Sequence, residues 1–96
     1  MTKADIVATI SDKLGLEKGE AQKVVELFME TVKDSLSKGD NVYLRGFGSF
    51  ITKKRAEKVG RNISKKTSVI IPEHFIPAFK PSKTFVEQVK TNVKSN

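Results

Sequence analysis

The feature that most limits the fold of this chain is a basic stretch at residues 53–66. It contains one acid, Glu57, and no apolar repeat that a hydrophobic core could use. Sequence typical of β-strands lies on both sides, at residues 49–52 and 67–71. These properties predict a two-stranded arm that extends into solvent, and its charge predicts a polyanionic partner. The alternative is a solvated hairpin without a partner, whose charges are ordinarily more mixed. The seven bases of the stretch are Lys53, Lys54, Arg55, Lys58, Arg61, Lys65 and Lys66.

The net charge is divided unevenly along the 96 residues. Residues 1–46 contain seven Lys or Arg and eight Asp or Glu, a net charge of −1, whereas residues 47–96 contain eleven and three, a net charge of +8. This division predicts a scaffold in the first half and a nucleic-acid-binding surface in the second. A chain this short buries only somewhat more than about 60% of its unfolded surface. An arm leaves even less core, so a dimer is expected to supply the missing buried face.

Two amphipathic helices are predicted ahead of the arm. Thr2 is placed to cap the first, with Asp5 completing an acidic version of the capping box, and the apolar spacing indicates a helix over residues 3–14. A longer helical pattern begins after Gly19 and ends at Gly39. Its apolar face is wide enough to contact a second copy of the chain, and packing within one chain explains it equally well. Its acidic balance argues against a helix that reads DNA bases.

A sheet is predicted after the helices. Strands are expected at about residues 41–45 and 49–54, joined by a tight turn at residues 46–48, and a third strand at residues 67–72 returns from the arm. The last helix is expected at about residues 83–92, with Ser82 as its N-cap.

Five residues mark expected details of the arm and its return, with the whole arm spanning about residues 53–75. Gly60 with Asn62 predicts a break near the tip. Pro72 cannot donate a backbone hydrogen bond, which predicts an edge position or a bulge. Ile76 and Phe79 are then expected to re-enter the core.

Residue types also limit the chemistry. Without cysteine the chain has neither a disulfide framework nor a thiolate metal site. His74 is the single histidine and has no ligand cluster around it, so it is interpreted as a surface residue at the base of the arm. We therefore expect no metal, no cofactor and no enzymatic activity. No signal peptide or membrane span is visible, and a cytoplasmic location is expected.

Four short motifs, in order and at matching spacing, resemble the bacterial HU/IHF family of nucleoid DNA-bending proteins, and the resemblance covers essentially the whole chain. It implies an α+β fold in which one HU/IHF-like domain forms an intertwined homodimer or heterodimer. Residues 1–40 would form the helical dimerisation base, residues 41–80 the sheet and arm, and residues 81–96 the C-terminal helix. The two arms would embrace double-stranded DNA through its minor groove, in the bacterial nucleoid. The motifs are Arg45-Gly46-Phe47-Gly48-Ser49-Phe50, Arg55-Ala56-Glu57, Gly60-Arg61-Asn62 and Pro77-Ala78-Phe79-Lys80-Pro81.

Two sets of residues follow from charge, pattern and resemblance together. The expected DNA-binding residues are Lys3, Arg45, Gly46, Lys53, Lys54, Arg55, Lys58, Arg61, Asn62, Ile63, Ser64, Lys65, Lys66, Lys80 and Lys83. The expected dimer-interface residues are Val25, Phe28, Met29, Val32, Leu44, Phe47, Phe50 and Phe79.

The chain departs from the family at the arm tip. The family usually has proline after Gly-Arg-Asn, whereas this chain has Ile63, followed by Ser64-Lys65-Lys66 in place of the usual turn. Isoleucine is also apolar and bulky and belongs to the residues that wedge between base pairs. The alternative is that Ile63 packs on its own arm and never enters the base stack.

The sequence thus predicts a histone-like protein that binds double-stranded DNA with little sequence preference and bends or compacts it. DNA that is already bent, nicked or distorted should bind best, because unstacking then costs less. Two alternatives remain at this stage: a site-specific bender of the IHF type, and a small basic protein that binds structured RNA.

Overall fold

The computed structural model describes residues 1–62 and 67–94, and its elements fall into two compact units, Met1–Lys38 and Gly39–Asn96. The first unit contains helices α1 (Lys3–Leu14) and α2 (Lys18–Ser37). The second contains five strands and helix α3 (Lys83–Asn92). This is the predicted α+β fold. The strands are β1 (Val42–Leu44), β2 (Gly48–Arg55), β3 (Lys58–Asn62), β4 (Thr67–Ile71) and β5 (His74–Pro81).

Local capping explains where α1 begins. The Thr2 hydroxyl accepts a hydrogen bond from the Asp5 backbone N–H, and the Asp5 carboxylate accepts one from the Thr2 backbone at 2.8 Å. This is the predicted capping box, which satisfies two N–H groups that would otherwise lack partners. Gly15 ends the helix in the left-handed conformation, with φ of 67°.

The buried core of the first unit is small. Val7, Ala21 and Val25 are its buried apolar residues, and Ile10 packs against them. Ser11 is buried beside them, and its hydroxyl donates a 2.6 Å hydrogen bond to the Leu16 carbonyl. Core burial therefore explains why α1 and α2 pack together, while most of the α2 surface remains exposed.

The second unit is organised around β2, which pairs with both β1 and β5 in antiparallel fashion. β1 covers only the beginning of β2, from Gly48 to Phe50, and the β2–β5 ladder continues alone as far as the pair of Arg55 with His74. The β5 strand is an addition to the prediction, which gave this segment no strand. Strand β1 is also shorter than predicted.

The β3–β4 ladder continues the same hairpin beyond a short interruption. Pairing stops after Arg55 and His74 and resumes with Lys58 opposite Ile71. Two residues in each chain segment lie between the ladders, so the register is kept and no bulge forms. The predicted break at Gly60 and Asn62 is wrong, because both residues lie within paired β3. Pro72 lies in the interruption, and its missing N–H explains why the ladder stops there.

An aromatic cluster of Phe47, Phe50, Phe79 and Phe85 joins the sheet to α3. The ring centroids of Phe47 and Phe79 are 4.9 Å apart, and those of Phe47 and Phe85 are 5.5 Å apart. Ser82 caps α3 as predicted, by accepting a hydrogen bond from the Phe85 N–H. The Ser82 N–H in turn donates to the Phe47 carbonyl at 2.9 Å. The turn at residues 46–48 is thereby held against the start of α3.

Candidate nucleic-acid interface

Exposed cations occupy the strands on the outgoing side of the arm. Lys53, Lys54 and Arg55 end β2, and Lys58 begins β3 after the interruption. All four side chains are exposed. Successive side chains of a strand point to opposite faces, so Lys53 and Arg55 lie on one face of β2 and Lys54 on the other. Positive charge is therefore present on both faces of the arm's base.

One acid contacts this group in the described part of the chain. The Lys54 ammonium lies 3.3 Å from the Glu73 carboxylate, and both side chains are more than half exposed. An exposed pair of this kind contributes about 0–1 kcal/mol to stability and is screened by salt. Lys54 can therefore exchange Glu73 for a phosphate at little cost.

The returning strand of the arm has a different character. Val69, Ile70 and Ile71 are consecutive on β4, and all three are exposed, Ile70 by 64%. Val59, which pairs with Ile70, is also exposed. The described part of the arm thus joins a basic strand to an apolar one. The sequence pattern predicted only a strand here, although three consecutive apolar residues within an arm that cannot pack also indicate exposed apolar surface.

A second basic group surrounds the start of α3. Lys80 is the second-last residue of β5 and lies opposite Ser49, and Lys83 is the first residue of α3. The Thr84 hydroxyl is 3.5 Å from the Gly46 carbonyl, so the turn that follows Arg45 reaches the same place. The exposed side chains of Arg45, Lys80 and Lys83 therefore add to the positive end of the helix dipole, where phosphate groups bind favourably.

Lys3 belongs to the helical unit and is engaged with an acid there. Its ammonium donates a 3.0 Å hydrogen bond to the Glu26 carboxylate, which also accepts one from the Gln22 amide at 3.0 Å. The Gln22 hydrogen bond, followed by the hydrogen bond and charge of Lys3, holds the pKa of Glu26 below its ordinary value. Contact between Lys3 and a phosphate therefore requires competition with a carboxylate that stays ionised at neutral pH.

The structure describes the arm tip only as far as Asn62 on one strand and from Thr67 on the other. Arg61 and Asn62 pair through their backbones with Ser68 and Thr67. The expected contacts of the tip itself lie outside the described residues. These positions are Ile63, Ser64, Lys65 and Lys66.

The residues expected at a dimer interface fall into three groups. Val25 is buried within its own chain, against Val7 and Ala21, so its side chain is already packed without a partner. The other residues retain surface. Phe28, Met29, Phe47 and Phe79 are exposed, and Val32, Leu44 and Phe50 are half-buried.

Other kinds of site find no support in the described ranges. No group of three or more acidic or histidine side chains in residues 1–62 and 67–94 is placed to hold a metal ion. None of the helices described combines the length and apolar character needed to cross a membrane.

Comparison with known proteins gives consistent results over almost the entire chain. Residues 1–90 match the family described as "Bacterial DNA-binding protein". The chain is similar to the DNA-binding protein HU of Thermotoga maritima, with 36% identity over 94% of this chain and 100% of that one. It is similar to integration host factor subunit beta of Colwellia psychrerythraea, with 39% identity over 97% of this chain and 99% of that one.

A solved structure shows the same likeness in three dimensions. A cocrystal structure of Anabaena HU with DNA superposes with a TM-score of 0.88 at 36% identity, covering 93% of this chain and 97% of that one. The agreement extends to the fold derived above, with two N-terminal helices, antiparallel strands and a C-terminal helix.

Proposed function

This chain belongs to the bacterial DNA-binding protein family of HU and IHF, as an architectural DNA-binding protein, and we propose that its arm grips the minor groove and bends the duplex. The family is one of DNA-binding proteins rather than of enzymes. The observation that carries the proposal is the paired arm, whose exposed cations have Glu73 as their one recorded acidic contact among the described residues.

The two strands of the arm suggest a division of roles. Lys53, Lys54, Arg55 and Lys58 neutralise phosphates, which supplies affinity but little sequence information. The exposed apolar residues of β4 suit contact with the sugar edges that line the groove. The minor groove distinguishes mainly A·T from G·C pairs, so binding is expected to have little sequence preference.

A site-specific function of the IHF type is the second candidate. It is favoured by one observation: the chain is about as similar to an IHF subunit, at 39% identity, as to an HU protein, at 36%. Comparing affinity for random duplexes with affinity for sequences selected by the protein separates the candidates. Near-equal affinities support the general bender, and a selected site preferred by 10³-fold or more, on the order expected for specific binding, supports the second.

At the arm tip, we assign the wedge role to Ile63. An apolar side chain inserted at a base step costs a few kcal/mol of unstacking, which contacts along the bent duplex offset. The same reasoning predicts preference for nicked or distorted DNA, in which unstacking is already partly complete.

Ile63→Ala should reduce the bend angle more than it reduces affinity, because the phosphate contacts remain while the wedge is lost. Bending is measured by energy transfer between dyes at the two ends of a short duplex, and affinity by titration of the same duplex. Leu14→Ala, which truncates an exposed apolar side chain of α1 outside both expected interfaces, serves as the control. Equal bend angles for Ile63→Ala and the wild type would remove Ile63 from this role.

The protein functions, in this proposal, as a homodimer in the bacterial nucleoid. Exposed apolar side chains on two of the helices favour this assembly. Phe28 is 47% exposed and Met29 40% on α2, and Val86 and Val89 are exposed on α3. Full burial of such side chains is worth about 1.5–3 kcal/mol each, which a second copy can supply.

Sedimentation at micromolar concentration should therefore give twice the chain mass of 10.7 kDa. Phe28→Asp should shift the protein toward monomer and weaken its folding, because it places a charge on the proposed interface. Leu14→Asp changes a residue that is 69% exposed and outside that interface, and should leave the mass doubled. A wild-type chain that remains monomeric would contradict the homodimer and direct attention to a paralogous partner.

A further inference from the structure

The base of the arm contains a groove that is lined partly by expected DNA-binding residues and partly by residues without an assigned role. Its volume is about 630 Å³. It lies where the β2–β5 ladder stops and the β3–β4 ladder begins. We call it the root pocket. Its lining residues are Lys54, Arg55, Ala56, Lys58, Ile71, His74 and Ile76.

His74 has a defined position in the root pocket. It pairs with Arg55 in the last rung of the β2–β5 ladder, so the two side chains lie on the same face. Its Nδ1 is 2.9 Å from the Pro72 carbonyl oxygen. A carbonyl only accepts, so Nδ1–H is the donor, and this hydrogen bond orients the ring. The Nε2 atom is left to bind a proton and to donate to an anion.

The charges around His74 favour an anionic ligand. Lys54, Arg55 and Lys58 line the same pocket, and the nearby acid Glu73 is engaged with Lys54 at 3.3 Å. Arg55 shares its face with His74, and Lys54 and Lys58 border the pocket. These three cations outnumber the acids Glu57 and Glu73 of the same region and provide a site for a phosphate group. A phosphate in contact with the ring would favour its protonated form, because an opposite charge nearby stabilises the charged state.

We propose that His74 completes a phosphate-binding pocket at the base of the arm and takes up a proton when a DNA phosphate enters it. The inference rests on the proposed DNA binding and adds a residue and a proton to it. Histidine is the side chain that ordinarily changes charge between about pH 5 and 8. Binding of DNA is therefore tighter at the acidic end of this range.

The direct test uses nuclear magnetic resonance. Because His74 is the single histidine, its ring signals are unambiguous. The ring is titrated in the free protein and in the protein saturated with a short duplex. DNA should move the midpoint of the titration to higher pH, and affinity should rise up to about tenfold for each unit of that movement. An unchanged or lowered midpoint overturns the proposal.

Two variants separate this linkage from general charge effects. His74→Gln should have the same DNA affinity at about pH 5.8 and 7.8, a range spanning the ordinary histidine titration, whereas the wild type binds more tightly at the lower pH. Lys33→Gln removes a cation from α2, outside the expected DNA-binding surface. Its DNA affinity should keep the pH dependence of the wild type. If His74→Gln keeps it as well, the proton is taken up elsewhere and the proposal fails.

The same titrations distinguish failure of this inference from failure of the proposed function. A duplex that binds and bends without any pH dependence contradicts the role of His74 alone. A protein that does not bind duplex DNA at either pH contradicts both.

Discussion

Replacing Lys53, Lys54 and Arg55 together by alanine is expected to weaken binding to every duplex by a similar factor. All three side chains are exposed at the end of β2, where they can reach phosphates without rearrangement of the sheet. Each lost phosphate contact reduces the slope of log affinity against log salt by about 0.9, so three contacts reduce it by about 2.7 for each chain. The expected loss of affinity is on the order of 10²- to 10³-fold at about 50 mM salt.

The measurement is a titration of two unrelated duplexes at several salt concentrations. A control variant replaces Lys13, Lys33 and Lys38, three exposed cations of the helical unit outside the expected interface. It removes the same charge and should leave the salt slope close to that of the wild type. An equal loss in both triple variants would mean that net charge, rather than the arm, determines affinity. A loss confined to one duplex sequence would contradict the assignment of these residues to phosphates.

Gly48→Ala is expected to destabilise the protein by about 3 kcal/mol, at the upper end of the usual effect of overpacking. Gly48 has φ of 157°, and a Cβ atom there would lie 2.5 Å from the Lys80 carbonyl oxygen and 2.7 Å from Cζ of Phe79. The carbonyl belongs to the paired backbone of β5, so it cannot move away without disturbing the ladder. The same shift would displace Phe79 within the aromatic cluster.

Gly19→Ala provides the matched control. Gly19 lies in the first turn of α2, and a Cβ there would meet no atom within 4 Å. Alanine should be neutral or stabilising by up to about 1 kcal/mol, because it restricts the unfolded chain. Both variants are unfolded with denaturant at one protein concentration, because the stability of the proposed dimer would depend on concentration. Equal midpoints for the two variants would contradict the close packing at Gly48.

The helices were predictable because their signals are local. The capping box of Thr2 and Asp5 marked the start of α1, and the N-cap Ser82 marked the start of α3. Both helices have the predicted bounds. Strand β5 was missed because its pairing with β2 is not local. Pro77 and Pro81 interrupt the alternation that normally indicates a strand, yet both lie in the paired ladder, opposite Thr52 and Gly48.

The position of the arm was predictable from charge to a similar extent. The density of bases identified the arm without any knowledge of its geometry. The sequence could not place His74 beside Arg55, because the two residues are far apart along the chain and meet only through the pairing of β2 with β5. The sequence also could not show which apolar residues of α2 are buried within the chain and which stay exposed. Val25 packs inside its own chain while Phe28, three residues on, stays exposed, and helical spacing alone does not say which neighbour each contacts.

The most direct test of the account is the end-to-end distance of a short duplex, measured by energy transfer as wild-type protein is added to saturation. An intact duplex and one with a central nick, of the same sequence, are compared at low and high salt. The account predicts that the ends approach each other on binding, that the nicked duplex binds more tightly, and that salt weakens both complexes. A saturated complex whose ends remain as far apart as in free DNA would contradict bending and leave a protein that grips DNA without deforming it.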